Sequence, residues 1–339
     1  MSKKTKRIIM IICSIVLIIA FLIEILVFYM QYKMSKIKQV EINESEIPVN
    51  EDVEEELVEY RNIALFGVDS RENGLERGNR SDCIIIASLN NTTKEIKLVS
   101  VYRDTYVDID EYGLDKINHS YSYGSAQLAI STLNRNLDLN IKEFATVNFD
   151  VLAEVIDLLG GIEINIDKNE VQSINETIQS TSQILGTKTQ LITSAGNKNL
   201  NGIQAVAYSR IRSTSGGDYK RTERMRDVLN AIINKAKTKN LSELNKLANK
   251  ILPNVYTNIK TEEILELVPN IFDYKIVKSI GFPYNIKEIT LDRWYAVPVT
   301  LESNVIKLHQ DLFQEENYKV SETVKEISNK ISKRTGYTK

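Results

Sequence analysis

The sequence predicts a layered α/β domain set behind one membrane-spanning helix, and three observations carry that prediction. Short apolar runs recur at 62–68, 83–89, 96–102, 144–148 and 162–166, rich in Ile and Val at 83–89 and 96–102, with turn residues such as Asn90-Asn91-Thr92-Thr93 and Gly160-Gly161 beside them. Amphipathic stripes at helical spacing interleave with these runs, as in Ala126, Ile130, Leu133 and Leu137, and strands mixed with helices of this length build layered α/β domains. Ahead of both, residues 8–30 are almost continuously apolar, broken only by Cys13, Ser14 and Glu24. A stretch of that length crosses a bilayer as a helix.

Lys3, Lys4, Lys6 and Arg7 precede the apolar stretch, and Tyr29-Met30-Gln31-Tyr32-Lys33 offers no small-residue cleavage site after it, which predicts an uncleaved anchor. The basic residues place 1–7 inside the cell and the remainder outside. Residues 31–60 turn from basic to acidic through Glu41, Glu44, Glu46, Glu51, Asp52, Glu54, Glu55 and Glu56, and read as a solvated extracytoplasmic linker. The domain proper is expected over 61–313. Its runs at 83–89 and 96–102 form a β-hairpin, and 112–121 is expected as a polar loop feeding the helix of the Ala126 stripe. After strand 144–148, Asp150 caps a helix that Gly160-Gly161 ends, and 162–166 alternates as a strand. The polar stretch 167–193 lacks a pattern and is expected as a surface excursion. A short helix over 200–208 leads to a helix after Asp218 with Met225, Val228, Leu229, Ile232 and Ile233 inward. Helices at 241–252, 261–268 and 302–313 and a strand at 274–282 follow, Trp294 and Tyr295 are expected in the core, and 314–339 reads as a polar, partly disordered tail.

Composition removes several function classes. Lys plus Arg total 43 against 45 for Asp plus Glu, so no global basic field attracts nucleic acid, and any anion site must come from a local cluster. Cys13 and Cys83 fall in an apolar segment and a strand, and disulfides do not support the fold. The chain has no Walker loop, no Cys/His metal pattern and no Gly-x-Ser-x-Gly elbow.

Two local charge clusters stand out. Antiparallel pairing of the hairpin brings Arg80 and Asp82 at the entry of one strand beside Arg103 and Asp104 at the exit of the other. If 62–68 is also antiparallel to its successor, Asp69 faces Asp82 across a loop mouth. Crowded carboxylates repel unless a cation lies between them. Mg²⁺ is held in this way, by one or two carboxylates plus phosphate oxygens, and arginines grip phosphate bidentately. A solvated rim of salt bridges is the alternative. Lys116 and His119 adjoin this cluster, His119 either as a general base or as a histidine that hydrogen-bonds the fold. The second cluster is YSRIRSTSGGDYKRTERMR. Arg210 and Arg212 share a face if the backbone is extended, and Arg221 and Arg224 lie in the first turns of the helix that Asp218 caps. Cations there oppose the helix dipole, which an anion at the helix N-terminus would relieve. Neutralisation by Asp218, Glu223 and Asp227 is the other reading.

In chain order, GVDSR, RSD, VSVYRDT, DKINHSY, VIDLLGG, LNGIQAVAYSRIR and GDYKRTER resemble the LytR-CpsA-Psr family of cell-envelope phosphotransferases, over roughly residues 62–237. The resemblance implies a three-layer α/β/α sandwich with a central mixed β-sheet, facing the outside of a Gram-positive membrane. It implies transfer of a glycopolymer, such as wall teichoic acid or capsular polysaccharide, from an undecaprenyl-pyrophosphate carrier to peptidoglycan. By motif, Asp69 and Asp82 match the Mg²⁺-binding aspartates, and Arg80, Arg103, Arg210, Arg212 and Arg221 match the arginines that hold pyrophosphate. Asp104, Lys116, Asp218 and Arg224 match further charged family positions, the last three taken with the substrate-binding set. Asp82 or Asp104 is then the carboxylate that orients or deprotonates the attacking hydroxyl. Two departures stand out: Tyr102 replaces the usual Pro before Arg-Asp-Thr, and Met225 replaces the usual Gln. An envelope-attached regulator and a polyprenyl-pyrophosphate binding protein or hydrolase are the rival readings.

Overall fold

Alternation of apolar side chains along the central strands decides the architecture. The computed structural model describes residues 21, 24–25, 27–68, 78–184, 186–212, 217–267 and 273–338. In chain order the strands are β1 (Lys38–Gln39), β2 (Tyr60–Val68), β3 (Ser81–Asn90), β4 (Glu95–Val101), β5 (Tyr106–Ile109), β6 (Gly113–Lys116), β7 (Glu143–Asn148), β8 (Ile162–Ile166), β9 (Gly196–Leu200), β10 (Val255–Thr257), β11 (Lys275–Phe282), β12 (Ile286–Thr290) and β13 (Trp294–Pro298). Seven of them form one sheet in the order β1-β10-β7-β2-β3-β4-β11. The sheet is mixed: β3 is antiparallel to both β2 and β4, while β7 joins β2 and β11 joins β4 in parallel. Val68 lies opposite Ser81, so the exit of β2 and the entry of β3 share one sheet edge.

Successive residues of a strand face opposite sides, and here both sides are apolar. Ala64, Phe66 and Val68 of β2 join Ile84, Ile86, Val99 and Val101 in one core, beneath the helices Ile117–Leu137, Leu301–Phe313 and Glu322–Thr335. Ile63, Ile85, Ala87, Leu89 and Leu98 face the other way, toward Leu229 of the helix Gly217–Ala236 and Ile264 of the helix Thr261–Leu267. A further core under β8 and β9 is packed by the helices Phe149–Leu158, Val171–Ile184 and Gly202–Arg210.

Several segments depart from the sequence reading. Residues 31–60 are not a spacer: β1 pairs with β10 at the sheet edge, and the helix Glu51–Glu56 turns its acidic face out while Val53 and Leu57 enter the main core. Spacing of four residues puts that pair on one helical face, and what the run of glutamates conceals is that this face packs into the core. Likewise the expected excursion over 167–193 holds the helix Val171–Ile184, anchored by buried Ile174 and Ile178. The expected tail 314–339 holds the helix Glu322–Thr335, capped by Ser321 and ended by Gly336 at φ 77°, with Val324, Ile327 and Ile331 buried. The expected loop 112–121 is instead β6 followed directly by a helix start at Ile117. The expected span 8–30 falls largely outside the described residues. Among those described, no helix is long and apolar enough to cross a membrane.

Docking of the C-terminal helix predicts that Ile331→Ala lowers stability by about 2–5 kcal/mol, the usual cost of such a truncation in a packed core. Urea denaturation measures this, and a wild-type midpoint would show that the helix is not part of the folded unit.

Candidate functional site

The site is assembled where β4 ends. The chain leaves Val101 through a tight turn in which Thr105 donates its amide at 3.0 Å and its hydroxyl at 2.6 Å to the Tyr102 carbonyl. That turn presents Arg103 and Asp104, and three neighbours hold it. Ile117 and Asn118, at the start of the helix Ile117–Leu137, donate their amides to the Thr105 and Arg103 carbonyls at 2.9 and 3.1 Å, and the Ala296 amide of β13 donates to the Asp104 carbonyl at 3.0 Å. Pairing of β5 with β6 sets Lys116 opposite Tyr106 and therefore beside the turn. Otherwise unsatisfied amides at a helix start thus fix the backbone that carries the charges.

A relay of four alternating charges results. Arg103 Nη1 donates to Asp82 Oδ1 at 2.6 Å and Arg103 Nε to Asp104 Oδ2 at 3.2 Å, while Lys116 Nζ donates to Asp104 Oδ1 at 2.6 Å. Both Asp104 oxygens are therefore engaged, and its side chain is 8% exposed against 24% for Asp82. The Lys116 ammonium also lies 5.8 and 5.7 Å from the ring centroids of Trp294 and Tyr295, within cation–π range. Tyr295 is a core residue as expected, whereas Trp294 is only half-buried, and both rings border the site.

Behind Lys116 sits Asp115, which sequence reasoning did not single out. Its carboxylate accepts from His119 Nδ1 at 2.8 Å, Tyr123 OH at 2.7 Å and the Lys116 amide at 2.8 Å. Burial pushes this carboxyl up, but the hydrogen bonds from His119, Tyr123 and the Lys116 amide outweigh it and hold the group at about 2. His119 is buried and serves this network. Burial and Asp115 push the Tyr123 hydroxyl up while the guanidinium groups of Arg293 and Arg80 oppose them, so exposed Arg80 belongs to the same field. The Gly78 amide on the loop before Arg80 donates to the Ser122 carbonyl at 3.0 Å.

The second basic cluster reaches the first through Arg221. This side chain is 2% exposed, and its Nη2 donates to the Asp82 backbone carbonyl at 3.4 Å. Arg221 and Arg226 both act on Cys83, whose thiol burial pushes up to about 12. Arg224 points elsewhere: its Nε pairs with Glu170 at 2.8 Å and its Nη1 donates to the Ile211 carbonyl at 3.1 Å, all in buried surroundings. It ties the helix Gly217–Ala236 to the segment that delivers Arg210 and Arg212. Arg210 ends the helix Gly202–Arg210 half-buried, and Arg212 is exposed two residues on. Asp69 lies outside the described residues, as does the Asp218 side chain. Met225 is buried on the core face of its helix.

Tyr102 has a definite part. Its amide donates to the Phe282 carbonyl at 2.9 Å, a bond that a proline could not make, and its ring meets Tyr219 edge-on at 4.8 Å. The hydroxyl passes over Gly281, where an added Cβ would come within 2.2 Å of it. Tyr102 thus braces the helix bearing Arg221 against β11.

Arg103, Lys116 and Arg221 set three cations against the carboxylates of Asp82 and Asp104, an arrangement that suits a polyanion with several charged oxygens. Among the described residues no group of three or more His, Cys, Asp or Glu side chains could hold a metal ion. Asp82 offers a hard, partly exposed carboxylate beside the arginines, which fits a hard cation shared with phosphate oxygens.

Comparison with known proteins gives the family and the fold. The model of the LytR_cpsA_psr family matches residues 25–311. A polyisoprenyl-teichoic acid–peptidoglycan teichoic acid transferase TagU of Enterococcus faecalis is 35% identical over 204 residues, 59% of this chain and 60% of that protein's length. Among solved structures, TagT bound to LIIa-WTA superposes with a TM-score of 0.60 at 25% identity, covering 76% of this chain and 90% of that one. The LytR-CPS2A-psr family protein YwtF (TagT) with bound octaprenyl pyrophosphate lipid gives a TM-score of 0.54 at 25% identity, covering 75% and 91%.

Two measurements follow from these contacts. Glu170→Ala strands the Arg224 charge in a buried setting and should cost about 3–5 kcal/mol in urea denaturation; a change within error would show that the pair is not buried in solution. Asp115 is held below its ordinary 3.8, so its contribution to stability is complete above that value and is lost as pH falls through about 2. Asp115→Asn should therefore flatten the acid limb of the stability–pH curve over that window, and an unchanged limb would remove Asp115 as its source.

Proposed function

Because the chain belongs to the LytR-CpsA-Psr family, we propose that it is a membrane-anchored, Mg²⁺-dependent phosphotransferase. It moves a glycopolymer such as wall teichoic acid or capsular polysaccharide from an undecaprenyl-pyrophosphate carrier to peptidoglycan. The observation that carries this reading is the convergence of Arg221 on Asp82, whose carboxylate Arg103 already holds. Residues distant in sequence thereby line one anion site at a sheet edge. The names of the relatives, teichoic acid transferases, and a solved neighbour holding a polyprenyl pyrophosphate support the substrate class. Residues 8–30 supply the anchor in a single pass, and the domain lies on the outer face of the cell membrane.

In this reading Arg103, Lys116 and Arg221 bind the diphosphate and stabilise charge on its oxygens as the reaction proceeds. Arg80, Arg210 and Arg212 extend the cradle. A peptidoglycan hydroxyl attacks the sugar-side phosphorus: its oxygen–phosphorus bond forms as the pyrophosphate bridge breaks, leaving undecaprenyl phosphate and a new phosphodiester. Asp104, with both oxygens in ion pairs, positions Arg103 and Lys116. Asp82, the more exposed carboxylate, orients the attacking hydroxyl. Asp82 with Asp69 would hold Mg²⁺, which supplies Lewis-acid polarisation of the phosphoryl oxygens when bound. Arg224 keeps the second basic segment in place through Glu170.

Incubating the full chain in detergent with lipid-linked polymer and peptidoglycan fragments tests the proposal. Polymer attachment and lipid phosphate release should appear together, both lost on chelation, and Arg221→Ala should slow them by about 10²–10³-fold. Lipid phosphate release without attachment would indicate a hydrolase, and binding without either product a carrier.

A further inference from the structure

Two hydrogen bonds join the N-terminal helix, whose described residues include 27–34, to the helix Leu241–Ile251. Tyr29 OH donates to Asn245 Oδ1 at 2.7 Å, and Lys33 Nζ donates to Asn249 Oδ1. The donors are four residues apart, and so are the acceptors. Contacts one helical turn apart on both partners mean that the two helices run side by side in the same direction. Extending the register back one more turn sets Leu241 level with Ile25, about 6 Å further toward the start of the N-terminal helix. Leu241 is 85% exposed, the most exposed large apolar side chain among the described residues, and Ile25 is 49% exposed. The turn before Leu241 carries Lys237, exposed, and Lys239, which shares its charge with Glu243 at 3.1 Å. Over residues 235–246 four lysines stand against one glutamate. Lys33 itself is 5% exposed, so the junction is a packed contact and not a loose tether.

We propose that the turn 237–240 with Leu241 is a second membrane contact, in which Leu241 enters the interfacial layer of the bilayer and the lysines meet anionic headgroups. The proposal rests on the reading of residues 8–30 as an anchor. An apolar tip flanked by lysines fits an anionic phospholipid surface, with the leucine below the headgroups and the ammonium groups among them. Two fixed contacts, the N-terminal helix and this turn, set the tilt and height of the domain. A domain that must receive a lipid-borne diphosphate needs that geometry, since the headgroup cannot leave the bilayer surface.

The test uses the full chain reconstituted in phosphatidylglycerol–phosphatidylethanolamine vesicles with and without brominated acyl chains. Added tryptophan is read against the parent, whose only tryptophan is Trp294. Leu241→Trp and Ile25→Trp should both show blue-shifted added emission that brominated lipid quenches. Val277→Trp, at an exposed position on the opposite edge strand of the sheet, should show neither. Quenching at Ile25→Trp with Leu241→Trp behaving like Val277→Trp would overturn the second contact and leave the anchor intact. Absence of quenching at both would overturn the anchor and the contact together.

Discussion

Asp104 is the residue on which the rest of the arrangement depends. Its carboxylate receives Arg103 on one oxygen and Lys116 on the other, and its carbonyl is pinned by β13. The turn after β4, the end of β6 and the distant strand β13 are thereby held together. Desolvating charges is costly, and a pair of this kind persists where geometry and extra hydrogen bonds compensate. Here both oxygens of Asp104 are paired, and the amides of Ile117 and Asn118 fix the backbone of the turn that carries it. The consequence is preorganisation: the cations are already aimed when an anion arrives, so little reorganisation accompanies its binding.

The central sheet was legible because burial on both faces leaves an uninterrupted Ile/Val signature, and turn residues mark its ends. The hairpin over β3 and β4, the strand that becomes β11 and the helix stripe from Ala126 to Leu137 were all readable on that basis, whereas the parallel pairing of β11 with β4 was not. What escaped were helices with thin apolar stripes in polar sequence. Val53 and Leu57 sit among glutamates, Ile174 and Ile178 among serines and threonines, and Val324, Ile327 and Ile331 among lysines. Composition says disorder for such stretches, whereas spacing of three and four residues says helix. The Ser321 cap and Gly336 stop were further signals at the C-terminus.

The site was readable by charge and less so by direction. Arg80, Asp82, Arg103, Asp104, Lys116 and Arg221 converge or lie in one field, as hairpin pairing and helix phase imply. Sequence did not separate Arg221 from Arg224, three residues apart on one helix. Glu170 decides it, because a buried carboxylate from another element captures Arg224. Nor did it assign Asp115, whose value lies in three simultaneous donors that only the fold brings together. Tyr102, a departure from the family pattern, proves to be accommodated by Gly281 on the neighbouring strand.

The central claim is that residues from two distant segments act as one diphosphate cradle, and a double-mutant cycle on Arg103 and Arg221 tests it most directly. Affinity for a short-chain polyprenyl pyrophosphate would be measured for the wild type, Arg103→Ala, Arg221→Ala and the double variant. Groups that share one ligand and both contact Asp82, Arg103 through its carboxylate and Arg221 through its backbone carbonyl, should couple by roughly 0.5–3 kcal/mol. Additive losses within roughly 0.3–0.5 kcal/mol, or affinities insensitive to both substitutions, would contradict the account.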